Sequence, residues 1–174
     1  MMKVRYLVAH ADDYQAKLTA YVAGKDPLQM QADTPRLIAE FVEGVPDAKL
    51  SQRPLPDKWS VTEIIAHLAE DELVTSWRYR QMIENNGCPL ASFDQDQWSR
   101  LGDYRSWKSL DALEMFRLLR AANLRMLRNL SPDEWDCFGV HAERGRLSVR
   151  DLAHHMAGHD MNHVDQIRSI LGKN

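Results

Sequence analysis

The sequence predicts an all-α protein. It is read as a four-helix bundle of the up-down type, with an additional N-terminal helix and a long linker between the second and third bundle helices. Three observations predict this. Apolar residues recur at helical spacing in nearly every segment of the 174 residues. Segments open on capping residues and close on glycine, asparagine or proline. No run alternates apolar and polar residues as a strand would.

Taken in order, residues 4–23 place Val4, Leu7, Val8, Ala11, Leu18 and Val22 near one face, and Gly24 with Asp26-Pro27 ends that helix. The first bundle helix is expected over 33–45. Thr34-Pro35 would be its N-cap and first-turn proline, and Leu37, Ile38, Phe41, Val42 and Val45 its stripe. Residues 46–58 hold three prolines and read as an irregular connector. Ser60 and Glu63 form a capping box that opens the second bundle helix, which runs to Asn85-Asn86-Gly87. The linker 88–108 carries the aromatic runs FDQDQW and YRSW, and such length points to function or to a crossing of the fold. The third bundle helix spans 109–130 through Met115, Leu118, Leu119, Ala122, Met126 and Leu130. Ser131-Pro132-Asp133-Glu134 opens a short helical turn, and 136–147 read as a loop. The last helix starts at Ser148 and runs to about residue 171, before Gly172. The expected organisation is an extension over 1–27 and one bundle domain over 28–174.

Two segments resemble each other. SVTEIIAHLAED (60–71) aligns with SVRDLAHHMAGH (148–159), so that His67 falls opposite His155 and Asp71 opposite His159. Two well-capped amphipathic helices would give this pattern, and so would an old duplication.

Composition narrows the function. Apolar residues make up 44% and charged residues 27%, with a net charge of −3. No basic run suits a phosphate backbone, and no apolar stretch is long enough to span a bilayer, so neither nucleic acid nor membrane is an expected partner. Asp12 and Asp13 come too early for a signal-peptide core, and Cys88 and Cys137 form no CxxC. The expectation is a cytoplasmic protein with two ordinary thiols, acting on a small molecule.

Four of the seven histidines lie in HHMAGHDMNH, residues 154–163. At about 100° per residue, with Leu152 as zero, Leu152, Met156, Ile167 and Ile170 fall within roughly 60° of one another. His159 and His163 project at roughly −20° and +20°, inside that apolar seam. A buried imidazole needs partners for its ring nitrogens. An i, i+4 pair can supply them to one divalent ion, as in HxxxH zinc helices. The spacing alone leaves a second possibility open, a pair of core histidines bonded to carbonyls or carboxylates. His154 falls near 200° and faces solvent, while His155 falls near −60°, at the seam's edge, as a ligand, a supporting donor or a rim residue. His10 and His141 have no partners by spacing. His67 lies about 120° from Val61, on the flank of its helix, so phase does not select it as a third ligand.

Three blocks, KWSVTEIIAHLAEDE, FDQDQW and GRLSVRDLAHHMAGHDMNHVDQI, resemble in order and separation the DinB-like superfamily of four-helix-bundle metalloproteins, over roughly residues 28–171. The resemblance implies a divalent metal, commonly nickel or zinc, on His67, His159 and His163, with an open fourth position. It also implies a homodimer and, among several activities, transferases that use bacillithiol or mycothiol and a mycothiol-dependent maleylpyruvate isomerase. The helix over 1–27 and the extra His155 depart from the family pattern.

On this reading the first expectation is a metal-dependent transferase that activates a low-molecular-weight thiol. Asp71, Asp160 and Gln166 are the candidates to orient imidazole N–H groups, and Arg78, Arg80 and Arg105 to meet a substrate carboxylate. Trp98, Tyr104 and Trp107 are candidates for the pocket rim. The alternatives are a hydrolase using activated water, with Asp71 or Glu70 as base, and a non-enzymatic, stress-associated metal-binding protein, whose site His155 could close.

Overall fold

Helix starts are set by side chains that satisfy the free amides of the first turn. In the computed structural model, which describes residues 13–173, Ser60 and Ser148 each cap a long helix in a complete capping box, with Glu63 and Asp151 respectively. The elements are α1 (residues 13–22), α2 (Pro27–Val42), α3 (Asp47–Leu50), α4 (Val61–Glu84), β1 (Cys88–Leu90), α5 (Gln95–Leu101), a 3-10 turn (Tyr104–Ser106), α6 (Ser109–Arg128), α7 (Pro132–Asp136), β2 (Phe138–His141), β3 (Gly145–Ser148) and α8 (Val149–Leu171). The part of the N-terminal helix that carries Val4, Leu7, Val8 and Ala11 lies outside the described residues.

The start of α2 corrects the expectation. It begins two turns before Thr34-Pro35, where Asp26 accepts from the Leu28 and Gln29 amides and Pro27 takes the first turn. Pro35 therefore sits inside the helix. Having no N–H, it leaves the carbonyl of Gln31 without its helical partner. Arg120 Nη1 of α6 donates to that carbonyl at 3.0 Å.

The bundle comprises α2, α4, α6 and α8. α4 packs on α6 and α8, and α2 packs on the same two helices. The pairs α2 with α4 and α6 with α8 thus stand on the diagonals, while α4 and α6 are neighbours. A small sheet, which the sequence did not announce, joins the linker to the chain before α8. β1 pairs in parallel with β2, Cys88 opposite Gly139, and β2 pairs antiparallel with β3, Phe138 opposite Ser148. Strands of three or four residues are too short to show a period of two. Gly139 is required there, since a Cβ would come 2.5 Å from Leu90 Cγ.

The apolar core comes in two clusters. One holds Ile38, Ile64, Ile65, Leu68, Phe116, Val164 and Ile167, and the other Tyr79, Met82, Leu90, Leu127, Leu152 and Met156. Each large aliphatic side chain so buried contributes about 1.5–3 kcal/mol. Near the junction of the two clusters every bundle helix contributes buried polar side chains: Gln31 and Thr34 on α2, His67, Asp71, Glu72 and Thr75 on α4, Arg120 and Asn123 on α6, and His159, Asp160 and His163 on α8. A polar layer crosses the middle of the bundle. α1 lies against α8, with Leu18 and Val22 buried and Lys17 Nζ donating to Asn162 Oδ1 at 2.8 Å. No helix among the described residues is long and apolar enough to cross a membrane.

Candidate metal centre

The three candidate ligands meet in that polar layer. His67 lies in the second turn of α4, and His159 and His163 are stacked one turn apart on α8. Because α4 packs directly on α8, the rings converge. His67 Nε2 lies 3.3 Å from His159 Nε2, and His163 Nε2 lies 3.1 Å from the same atom. One ligand atom from each histidine falls within 4.8 Å of the other two. All three side chains are buried.

Burial holds these imidazoles neutral. It lowers His67 to about 3, helped by the charge of His163, and lowers His163 to about 4 against the Gln166 hydrogen bond. His159 is driven well below the usual histidine value by burial and then by its two neighbours. Neutral imidazole is the form that ligates a metal. The Nδ1 of His163 faces Gln166 Oε1 at 2.8 Å. A carbonyl oxygen can only accept, so the proton is on Nδ1 and the Nε2 lone pair points at the other rings. Three nitrogens aimed at one point cannot all be satisfied by one another. His159 Nδ1 is likewise buried without a hydrogen bond. The donor set fits a divalent ion of the zinc or nickel type, for which imidazole is a preferred ligand.

A sequence profile of the DinB superfamily matches residues 30–167. The chain belongs to the DinB superfamily. It is 25% identical over 138 residues, 79% of this chain and 80% of the other, to a candidate metal-dependent hydrolase of Oceanobacillus iheyensis. A second candidate metal-dependent hydrolase of that organism is 24% identical, over 84% of this chain and 83% of the other. In structure it is similar to YfiT of Bacillus subtilis, whose four-helix topology is described as unusual, with a TM-score of 0.77, 18% identity and 83% of each chain covered. It is also similar to a mycothiol-dependent maleylpyruvate isomerase, with a TM-score of 0.63 and 14% identity, over 84% of this chain and 59% of that one. The superfamily match begins inside α2, so α1 precedes it.

In this DinB-superfamily chain the other predicted residues separate. Gln166 takes the expected place on His163. Asp71 Oδ2 stands 3.7 Å from His159 Nδ1, and burial, with Glu72 nearby, raises its carboxyl to about 7. Asp160 does not orient an imidazole, because both its oxygens accept from Arg120. His155 does not join the cluster. Its ring stacks on His159 at 6.1 Å, and its Nε2 accepts from Arg144 Nη1 at 2.9 Å. Glu70 Oε2 accepts from the Tyr104 hydroxyl at 2.6 Å. Arg80 bonds Ser76 on its own helix, Arg105 stands 3.6 Å from Glu63, and Arg78 donates to the Ala91 carbonyl. Tyr104 is buried on Trp59, whose ring lies 5.0 Å from that of His67. Trp98 packs on Phe93, and Trp107 donates to the Gly102 carbonyl. His141 is buried, His154 is exposed, and His10 lies outside the described residues. A cleft of about 690 Å³ reaches His159 and His163 between Tyr14, Lys17, Trp59 and Gln166.

Sequence reasoning missed the partners on the other side of the layer. Arg120 Nη2 donates to Glu72 Oε1 at 2.8 Å and to Asp160 Oδ1 at 3.0 Å, and Asn123 Nδ2 donates to Glu72 Oε2 at 2.8 Å. Burial works against the Arg120 charge, but Asp160 and Glu72 more than offset it and raise its pKa. The signal was present: Phe116, Arg120, Asn123 and Leu127 share one face of α6 at i, i+4, i+7 and i+11.

Proposed function

We propose that this protein is a metal-dependent enzyme that activates a low-molecular-weight thiol for transfer to a small-molecule electrophile, with a nickel or zinc ion held by His67, His159 and His163. The observation that carries the reading is the convergence of three buried, neutral imidazoles on one point beside a cleft. When bound, the ion supplies Lewis acidity that makes a thiolate available near neutral pH. The chain's own residues do the rest. Gln166 fixes the tautomer of His163, and Asp71 stands on the Nδ1 edge of His159. His155, engaged by Arg144, leaves a fourth position open and so supports an enzyme over a closed structural site.

Thiol is favoured over water by the carboxylates. Activated water needs a base on the Nε2 side, and neither candidate stands there: Glu70 is bonded to Tyr104, and Asp71 lies behind the His159 ring. The names of the Oceanobacillus relatives favour the second reading, a hydrolase. The reading includes a homodimer, which sedimentation equilibrium checks.

The test compares metal-loaded protein with His163→Ala, using a panel of thiols and 1-chloro-2,4-dinitrobenzene. The thiolate sulfur bonds to the ring carbon, chloride leaves with the C–Cl electron pair, and the thiol proton goes to solvent. The expected result is conjugation that is lost in His163→Ala. Equal rates would remove the transferase reading, and ester hydrolysis without thiol would favour the hydrolase.

A further inference from the structure

Two clefts meet at Tyr14. One, of about 690 Å³, reaches His159 and His163, and the other, of about 870 Å³, is lined by His155 and Arg144; Tyr14 lines both. The position of Tyr14 is set by the seat of α1 on α8. A Cβ on Gly158 would come 2.4 Å from the backbone oxygen of Leu18, so the two helices touch backbone to backbone only because this residue is glycine. Leu18 is fully buried there, and the Tyr21 hydroxyl donates to Asp165 Oδ2. Gly158 directly precedes His159, so α1 is fixed against the ligand helix at the level of the site.

Arg144, in the β2–β3 turn, faces the same corner. The guanidinium and the Tyr14 phenol line one cleft together with His155. Arg144 Nη1 is committed to His155 Nε2 at 2.9 Å. Among the described residues no carboxylate lies within ion-pair distance of it, and Glu143 at the same rim forms no such pair. Arg78 adds a second positive charge felt by His155. An arginine held by a histidine acceptor, with no other hydrogen-bond partner among the described residues and a phenol in the same cleft, matches a planar anion.

We propose that Arg144 and Tyr14 form a subsite, beside the three histidines, that takes the carboxylate or a similar anionic group of a small-molecule substrate. The proposal deepens the metal-dependent reading and rests on it. The anionic group can belong to the thiol or to the electrophile, and matched probes separate the two.

Calorimetric titration of zinc-loaded full-length protein provides the test, with 3-mercaptopropionate against 2-mercaptoethanol for the thiol and 4-chloro-3-nitrobenzoate against its amide for the electrophile. At least one carboxylate should bind about tenfold tighter than its neutral partner, a typical effect of one charge-assisted pair. Arg144→Gln should bring that ratio close to one, and Tyr14→Phe should reduce it. Arg150→Gln, which removes an exposed arginine paired with Asp136 on the outside of α8, should preserve it. The subsite is overturned if neither carboxylate is preferred, if the preference survives Arg144→Gln, or if Arg150→Gln abolishes it equally. Thiols that bind alike, with no preference between benzoate and amide, would overturn the subsite and leave the thiol reading standing. A benzoate preference with no thiol binding would support the subsite and remove the thiol reading.

Discussion

The polar layer in the middle of the bundle has two halves built on opposite principles. Around Arg120, a buried guanidinium donates to two carboxylates and to the carbonyl freed by Pro35, and Asn123 donates to one of those carboxylates, which leaves Arg120 Nε and Asn123 Oδ1 without a partner. Around His159, three imidazoles aim nitrogen at nitrogen, and a fourth ring nitrogen is left without a bond. Both halves bear the cost of burying polar groups. The first recovers most of it through ion pairs with partners in the chain, while the Nε2 nitrogens of the second meet only one another and no opposite charge, and so leave it to be recovered from something outside. The comparison therefore assigns the Arg120 half to holding the helices and the histidine half to holding a ligand. Asp160 and His159, adjacent on α8, belong to different halves.

The largest expected effect breaks the first half. Arg120→Met leaves Asp160 and Glu72 buried without a cation and should cost about 3–5 kcal/mol, a fall in Tm of roughly 10 °C for a chain of this size. His159→Leu in metal-free protein removes a side chain with little to lose and should cost clearly less. Thermal denaturation monitored by circular dichroism compares them, and equal losses would erase the distinction between the halves.

Next comes the ion. Nickel or zinc at about a thousand times its dissociation constant should add about 4 kcal/mol of stability to the wild type. Arg150→Gln should keep that gain, and His67→Ala should lose it.

The pH dependence of the metal-free protein sharpens the contrast further. Folded His67 and His163 sit at about 3 and about 4, below the ~6.5 of an unfolded histidine, so the unfolded chain takes up protons that the fold refuses. Their contribution to stability is complete above about 6.5 and is lost as pH falls toward 4. Asp71 acts in the opposite sense: raised to about 7 by burial, it stabilises the fold at low pH and loses that contribution as pH rises through 7. Tm should thus drop between pH 6.5 and 4.5, the double variant His67→Ala/His163→Ala should flatten the drop, and Asp71→Asn should raise Tm at pH 8. The smallest expected effect is that of Gln166→Ala, which frees the tautomer of His163 and should weaken metal affinity about 10–100-fold.

The parts of this architecture legible in the sequence were those written in local chemistry. Ser60 with Glu63 marked one helix start to the residue and Ser148 another, because a cap involves only neighbours in the chain. The His159–His163 pair was legible from phase, since two imidazoles in an apolar seam need a reason. His67 was not, because its convergence depends on how α4 lies against α8; family resemblance supplied it. The Arg120 half was overlooked since a charged residue on a helix is ordinarily solvated, and its counter-charges come from α4 and α8. Asp160 was misread for the same reason: adjacency to His159 in the chain says nothing about which neighbouring helix a side chain on the next face meets.

The central claim is that the three imidazoles share one ion. Calorimetric titration of chelator-treated protein with nickel and zinc tests it most directly. The wild type and Arg150→Gln should each bind one ion per chain, and His159→Ala none at that site. A wild type that takes up no ion, or a His159→Ala protein that binds as tightly as the wild type, would contradict it.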